Sequence, residues 1–235
     1  MIPRRFNGPP DSGHGGYSAG LAAGLIDGPA EVTLLLPPPL DRPLAVRRGA
    51  DGSASVLDGD RVVMVATPLA ADLALTTPAA QGVETARDAS AAFHWHDDHP
   101  FPTCFGCGPQ RAPGDGLRLF AGRVAGNELL ATTWTPTEPV DQTLLWAALD
   151  CPSGAAGSAD KPGVPVVLGR FAVRQLAPVP ADAEHEIISW LVEADGRKRL
   201  CGCALFDAGG RQLAVARATW IELRRGSDSA PHAPG

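Results

Sequence analysis

Residues 14–23 of the chain read HGGYSAGLAA, and residues 141–150 read DQTLLWAALD. Small and apolar residues occupy nearly all positions of both segments, so neither has the broad polar face of a surface helix. We therefore predict two buried helices, over residues 17–26 and residues 141–155. The way in which these two helices pack determines the architecture and the position of any site between them.

Strand-like runs accompany both helices. The first helix is followed by runs at residues 31–36, 44–48, 53–57 and 61–68. The second half of the chain has runs at residues 117–120, 128–134, 165–173, 186–193, 198–207 and 212–223. Asp58-Gly59 and Asp195-Gly196 mark hairpin turns. Each half thus combines one apolar helix with a meander of antiparallel strands, which predicts an α+β fold with an internal repeat.

The boundary between the halves lies in the middle of the chain. Residues 77–90 predict a short polar helix, and residues 93–113 form an irregular segment rich in Gly and Pro. We place the boundary near residue 98, with an N-terminal domain at residues 1–97 and a C-terminal domain at residues 98–225. The final segment, residues 226–235, consists mainly of Gly, Ser, Pro and Ala and is expected to be a disordered tail.

Composition and charge exclude several classes of function. The 235 residues carry a formal net charge of −6, so no positive field is expected to attract nucleic acid or an anionic membrane. The longest apolar runs are too short to span a bilayer, and no secretion signal is visible. Five cysteines are an odd number in a chain large enough to fold without disulfides. We predict a cytoplasmic protein that binds neither nucleic acid nor membrane.

The spacing within the two helices limits where chemistry can occur. Ala23 stands nine residues after His14, and Asp150 stands nine residues after Asp141. Nine residues of an α-helix rise about 13 Å and turn through roughly 900°, so the free amides at a helix start and a side chain nine residues later cannot contact the same small carbonyl group. A second helix must therefore supply one of the two groups.

Antiparallel packing of the two helices predicts two unequal clefts, because the start of each helix then lies beside the ninth position of the other. One cleft combines the amides of Gly15 and Gly16 with Asp150. The other combines residues 141–143 with Ala23. Only the first cleft contains an acid, so we expect a single site.

These motifs resemble those of the hotdog-fold acyl-CoA thioesterases. In that family a helix wrapped by an antiparallel sheet begins with HGG, as at residues 14–16, and carries an acid nine positions after the His. The segment CFGCGP at residues 104–109, followed by Gly116-Leu117, is similar to the C-x-x-C-G…G-L segment that precedes the first strand of many such domains. The resemblance covers both halves and implies a double hotdog, two tandem hotdog domains.

The resemblance also implies a function, namely hydrolysis of an acyl-CoA or acyl-carrier thioester without a metal or an organic cofactor. The amides of Gly15 and Gly16, next to His14, would polarise the thioester carbonyl, because a helix start carries partial positive charge. Asp150 would attack the carbonyl itself or deprotonate a water, and the sequence leaves both roles open. A homodimer is also expected, since long sheets retain unpaired edges.

A second set of residues is predicted to bind substrate, and it consists of Asp141, Gln142, Thr143, Trp146 and Arg170. The first three begin the second helix. Trp146 is expected to line an acyl tunnel, with core packing as the alternative. Arg170 offers a cation for the phosphates of coenzyme A, with an exposed solubilising charge as the alternative.

One departure from the family pattern leaves other functions open. Where related thioesterases place a Thr or Ser on the strand after the acid-bearing helix, this chain reads VPVV at residues 164–167, with Val166 in place of the expected hydroxyl. A noncatalytic acyl-thioester binding or regulatory protein on the same fold is therefore the main alternative. A hydratase or dehydratase that uses His14 and Asp150 as a pair ranks below it.

The segment HWHDDH at residues 94–99, followed by Cys104 and Cys107, offers side chains that can bind metal. Its spacing lacks the second CxxC or the paired histidines of zinc motifs. We predict a solvated linker and no metal, with the two cysteines as small buried residues that shape the loop.

Overall fold

The structure is a computed structural model that describes residues 1–69, 72–161 and 163–223. The α-helices of this part of the chain are α1 (Gly15–Ala23), α2 (Val83–Ala91) and α3 (Gln142–Ser158). The strands are β1 (Ala30–Leu34), β2 (Ala45–Arg48), β3 (Ala54–Asp58), β4 (Arg61–Pro68), β5 (Gly122–Arg123), β6 (Leu130–Trp134), β7 (Val166–Gln175), β8 (His185–Asp195), β9 (Lys198–Asp207) and β10 (Gln212–Glu222). The predicted disordered tail at residues 226–235 lies outside the described residues.

These strands form one antiparallel sheet in the order β2-β3-β4-β1-β7-β10-β9-β8-β6-β5. Strands β1 to β4 make up one half of the sheet, and β5 to β10 make up the other. The halves join where β1 pairs with β7, with Val32 opposite Phe171. The predicted α+β architecture, an antiparallel sheet shared by two similar halves, is confirmed.

Helices α1 and α3 pack against each other in opposite directions, as predicted. Near the start of α1, a Cβ on Gly16 would lie 2.5 Å from the backbone oxygen of Trp146. One turn later, a Cβ on Gly20 would lie 2.9 Å from the Cα of Thr143. The two glycines therefore allow the helix backbones to approach more closely than any other residue would permit. This close approach fixes which residues of α3 face the start of α1.

Side chains cap the starts of both buried helices. Nδ1 of His14 accepts a hydrogen bond from the amide of Tyr17 at 3.2 Å, and the carboxylate of Asp141 accepts one from the amide of Leu144 at 2.7 Å. Each side chain satisfies an amide that has no acceptor within its own helix. Helix α1 contacts β1 and β4, and α3 contacts β8 and β9, so both helices are buried on one face of the sheet.

The structure corrects some of the predicted elements. The run at 117–120 is not a strand, because the amides of Leu117 and Leu119 donate to the carbonyls of Phe105 and Gly106, each at 2.8 Å, instead of to a neighbouring strand. The first helix begins before residue 17 and ends before residue 26. None of the described helices combines the length and the apolar composition that crossing a membrane requires.

Helix α2 lies before residue 98 in the sequence, but it contacts β5, β6 and β8 of the later half. The carboxylate of Glu186 on β8 accepts hydrogen bonds from the amides of Gln81 and Gly82 at 2.8 and 3.0 Å, just before α2 begins. These charge-assisted bonds anchor the start of α2 to the later half. The domain boundary near residue 98 stays a prediction.

Candidate active site

Asp150, on the middle of α3, faces the start of α1. Its Oδ2 atom accepts a hydrogen bond from the backbone amide of Gly16 at 2.7 Å and lies 3.3 Å from Nε2 of His14. The side chain of Asp150 is buried, with 2% of the residue exposed. The structure thus brings together the acid and the HGG segment that the sequence places 134 residues apart.

The protonation of His14 follows from its role as a helix cap. Nδ1 accepts the amide proton of Tyr17, so the proton of the neutral ring is on Nε2. Nε2 therefore donates to Sγ of Cys151 at 3.2 Å, and it also lies within ion-pair distance, 3.3 Å, of Oδ2 of Asp150, which accepts the amide of Gly16. Oδ1 of Asp150 is buried and has no hydrogen-bond partner among the described residues. One oxygen of the carboxylate is fixed in place, and the other is available to a water or a ligand.

Burial is the largest single effect on the pKa of both Asp150 and His14, and it acts in opposite directions on the two. Burial raises the pKa of Asp150 to about 6, although the charge of His14 and the amide of Gly16 act in the opposite direction. For His14, burial is the largest single effect and lowers the pKa, but the charges of Asp150 and Cys104 and a hydrogen bond with Cys104 together outweigh it, so the pKa is raised overall. A carboxyl that titrates near neutral pH is suited to exchange a proton during a reaction.

A cavity of about 980 Å³ opens onto Asp150 and is lined mainly by apolar atoms. Its wall comes from both halves of the chain and includes Gly15, Leu35, Leu168, Cys151 and Trp220. The volume lies at the upper end of the range typical of small-molecule sites, roughly 300–1,000 Å³. An acyl chain of moderate length therefore fits beside the carboxylate.

The five residues predicted to bind substrate do not line this cavity. Asp141, Gln142 and Thr143 begin α3, and the side-chain amide of Gln142 donates to the carbonyl of Gly20 at 3.3 Å. Antiparallel packing thus places them against the later part of α1, in the second cleft and away from Asp150. Their role in substrate binding stays a prediction.

Trp146 and Arg170 are also placed elsewhere. Trp146 is buried in the core, where its ring meets the ring of Phe171 edge to face at 5.4 Å. Arg170 projects from β7 with 55% of its side chain exposed and lies 3.6 Å from the carboxylate of Glu31. Trp146 therefore packs in the core, and Arg170 is an exposed charge, as in the alternatives to their predicted roles.

Gly15 and Gly16 of the HGG segment contact different parts of the site. The amide of Gly16 donates to Asp150, so it holds the acid and is not free for a thioester carbonyl in this arrangement. Gly15 lines the cavity, and a Cβ there would lie 3.0 Å from the side chain of Leu168. Val166 also lines the cavity, so no hydroxyl is present at that position.

Several lining residues had no signal in the sequence. Trp220 on β10 lies over α3, where a Cβ on Gly154 would come within 2.9 Å of its ring, and its indole N–H donates to Oγ of Ser153 at 2.9 Å. Cys151, next to Asp150, places its Sγ atom 3.6 Å from Sγ of Cys104. Of these residues, only Cys151 had a signal in the sequence, because it directly follows Asp150.

Solved structures of other proteins share this architecture. The acyl-CoA thioesterase II TesB2 of Mycobacterium marinum is 15% identical, with 94% of this chain and 92% of that chain covered and a TM-score of 0.59. A tesB protein of Mycobacterium avium subsp. paratuberculosis is 11% identical, with 90% and 88% covered and a TM-score of 0.59. A protein of unknown function with a hot dog fold from Alicyclobacillus acidocaldarius is 13% identical, with 91% and 88% covered and a TM-score of 0.61.

No protein-family model matches the sequence, and no curated protein matches it. At these identities the similarity to solved structures establishes the fold. The chain has the double hotdog fold that its HGG segment and repeated helix-and-strand plan predicted.

Proposed function

We propose that this protein is a thioesterase that hydrolyses an acyl-CoA or acyl-carrier thioester at the single cleft between the two hotdog halves. The observation that carries the proposal is the environment of Asp150. Its Oδ2 atom accepts the amide of Gly16 and lies 3.3 Å from Nε2 of His14, its Oδ1 atom has no partner among the described residues, and the residue lines an apolar cavity. The likeness to a protein named acyl-CoA thioesterase II supports the same class of reaction.

The proposed mechanism uses the free oxygen of Asp150. With the acyl chain in the apolar cavity, the thioester carbonyl lies near Oδ1. If Oδ1 attacks the carbonyl carbon, the C–S bond breaks, the thiolate leaves and water then hydrolyses the mixed anhydride; if Oδ1 instead takes a proton from an attacking water, the water oxygen displaces the thiolate, which leaves as the thiol after protonation. Gly15 is the first residue of α1, so its amide has no acceptor within the helix and is placed to polarise the carbonyl oxygen. His14 and Gly16 position the carboxylate throughout.

One site per chain follows from the difference between the two clefts. The second cleft has Ala23 where the first has Asp150, and an alanine side chain can neither attack a carbonyl nor accept a proton. We expect a nonhydrolysable acyl-CoA analogue to saturate the protein at one molecule per chain.

Thiol release from a panel of short, aromatic and long acyl-CoAs tests the proposal. Asp150→Asn removes the base and nucleophile but keeps an oxygen that can accept the amide of Gly16, so we expect kcat to fall by about 10²-fold or more. Glu138→Gln is the matched control, since it neutralises an exposed carboxyl just before α3. Equal release by the unchanged protein and the Asp150→Asn variant would remove Asp150 from the mechanism.

The main alternative is a noncatalytic acyl-thioester binding protein on the same fold. It is favoured by the absence of a hydroxyl at Val166 and by the engagement of the Gly16 amide with Asp150. In that case no thiol release above background would be seen across the panel, and Asp150→Asn would leave affinity for acyl-CoA nearly unchanged. Cytoplasmic location and a homodimer stay predictions.

A further inference from the structure

Three thiols and two imidazoles meet at one end of the cavity, and the proposed hydrolysis uses none of the thiols. Sγ of Cys104 lies 3.6 Å from Sγ of Cys151, and Cys107 interacts with both of these thiols. Nε2 of His14 is 3.2 Å from Sγ of Cys151, and Nε2 of His99 is 3.2 Å from Sγ of Cys107. We refer to the three cysteines as the thiol cluster.

Both imidazoles present a proton donor to the thiol cluster. Nδ1 of His14 accepts the amide of Tyr17 at 3.2 Å, and Nδ1 of His99 accepts the amide of Phe101 at 2.9 Å. A neutral imidazole has one N–H group, so in both rings it is on Nε2 and faces sulfur. Donors of this kind stabilise a sulfur that carries negative charge. The N–H groups of His14 and His99 thus reach the sulfurs of Cys151 and Cys107, where they would stabilise a thiolate once the thiol proton is displaced by a bound cation.

The distance between the sulfurs of Cys104 and Cys151 fits a shared metal ion better than a disulfide. In a tetrahedral zinc site with Zn–S bonds of about 2.3 Å, two sulfurs lie about 3.8 Å apart. The separation of 3.6 Å between Cys104 and Cys151 is close to that value, whereas a disulfide requires about 2.05 Å. Cys104 and Cys107 also have the C-x-x-C spacing common among zinc ligands.

The backbone around the cluster is shaped to keep its members together. A Cβ on Gly106 would lie 2.4 Å from Sγ of Cys151 and 2.6 Å from Nε2 of His14. The turn that carries the C-x-x-C segment can therefore pack directly on α3 only because residue 106 has no side chain. Two separate parts of the chain thus supply sulfur atoms to one point.

We propose that Cys104, Cys107 and Cys151 bind one thiophilic divalent cation such as Zn²⁺ through three thiolates. His14 and His99 donate N–H groups to the sulfurs, and the fourth coordination position faces the cavity, which all three cysteines line. The ion fastens the C-x-x-C loop to α3 and thereby fixes one wall of the cavity. This proposal does not depend on thioester hydrolysis. It differs from the prediction that no metal is bound and that the two loop cysteines are small buried residues that shape the loop.

Cobalt titration of the full-length, reduced and chelator-treated protein tests the site. We expect near-ultraviolet thiolate-to-cobalt charge-transfer absorption that saturates at one Co²⁺ per chain and disappears when Zn²⁺ displaces it. Replacement of Cys104, Cys107 or Cys151 by Ser should abolish this absorption. Cys201→Ser is the matched control, because Cys201 is a buried thiol on β9 that does not belong to the cluster. It should leave the titration unchanged.

A second measurement does not depend on the folding of variants. Alkylation of the unchanged protein, followed by mass spectrometry, should show protection of the thiol cluster by Zn²⁺. His99→Phe should weaken the affinity for Zn²⁺ by about 10-fold, the scale seen when an outer hydrogen bond to a metal ligand is lost. Absence of charge-transfer absorption, its persistence in all three cysteine variants, or peroxide-driven formation of a Cys104–Cys107 disulfide in a protein that binds no metal would overturn the proposal.

Discussion

The buried carboxyl of Asp150 makes the stability of the fold depend on pH in a way that Asp150→Asn should remove. In the folded protein burial raises the pKa of this carboxyl from 3.8 to about 6. A shift of about 2 units corresponds to about 3 kcal/mol, because each unit is about 1.36 kcal/mol. The folded state thus holds the proton of Asp150 more tightly than the unfolded state does.

The sign of the effect follows from that difference. The stabilisation is fully present below the pKa of the unfolded chain and is lost as the pH rises through about 6. His14 has the same sign, since its pKa is also raised in the folded protein. Relative to the Asp150→Asn variant, the unchanged protein should therefore lose about 2 kcal/mol of stability between about pH 4 and pH 8.

Urea denaturation of both proteins over this pH range measures the difference. The Asn side chain of the variant also changes the free energy of unfolding by an amount that does not vary with pH. This amount cancels when the two ends of the pH range are compared. Glu138→Gln, at an exposed position, serves as the control. A stability difference that is independent of pH, or one that increasingly favours the unchanged protein as the pH rises, would refute the reasoning.

Two further predictions concern packing, and urea denaturation checks both. Gly16→Ala should lower the free energy of unfolding by about 1–3 kcal/mol, because its Cβ would lie 2.5 Å from the backbone oxygen of Trp146. Gly24→Ala, whose Cβ would meet nothing closer than 3.5 Å, should instead raise it by about 0.4–1 kcal/mol. Ser153→Ala should lower it by about 1–3 kcal/mol, since the buried indole N–H of Trp220 loses its acceptor. Equal effects of the two glycine variants, or a neutral Ser153→Ala variant, would contradict these assignments.

The acid-bearing cleft could be predicted from helix periodicity together with antiparallel packing of the two helices. Nine residues separate Asp150 from the start of its helix, which excludes that helix start as a partner and selects Gly16 on the other helix. The bond of 2.7 Å between them agrees with this argument. What periodicity could not indicate is that the Gly16 amide binds the acid itself.

Other features depended on tertiary packing that no local pattern encodes. The thiol cluster joins Cys151 to Cys104 and Cys107, which lie 47 and 44 residues earlier in the chain, and only the fold brings the three together. The run at 117–120 is mainly apolar, as in a strand, but its backbone amides donate to the C-x-x-C loop.

The pH dependence of kcat/KM for thiol release tests most directly whether the Asp150 carboxylate performs the chemistry. Since burial raises the pKa of Asp150 to about 6, kcat/KM should rise with pH through that value and level off above it. In the Asp150→Asn variant the value should be about 10²-fold lower at the plateau and should lack this rise. A rate that falls as the pH increases through about 6, or the same profile in both proteins, would contradict the assignment of Asp150.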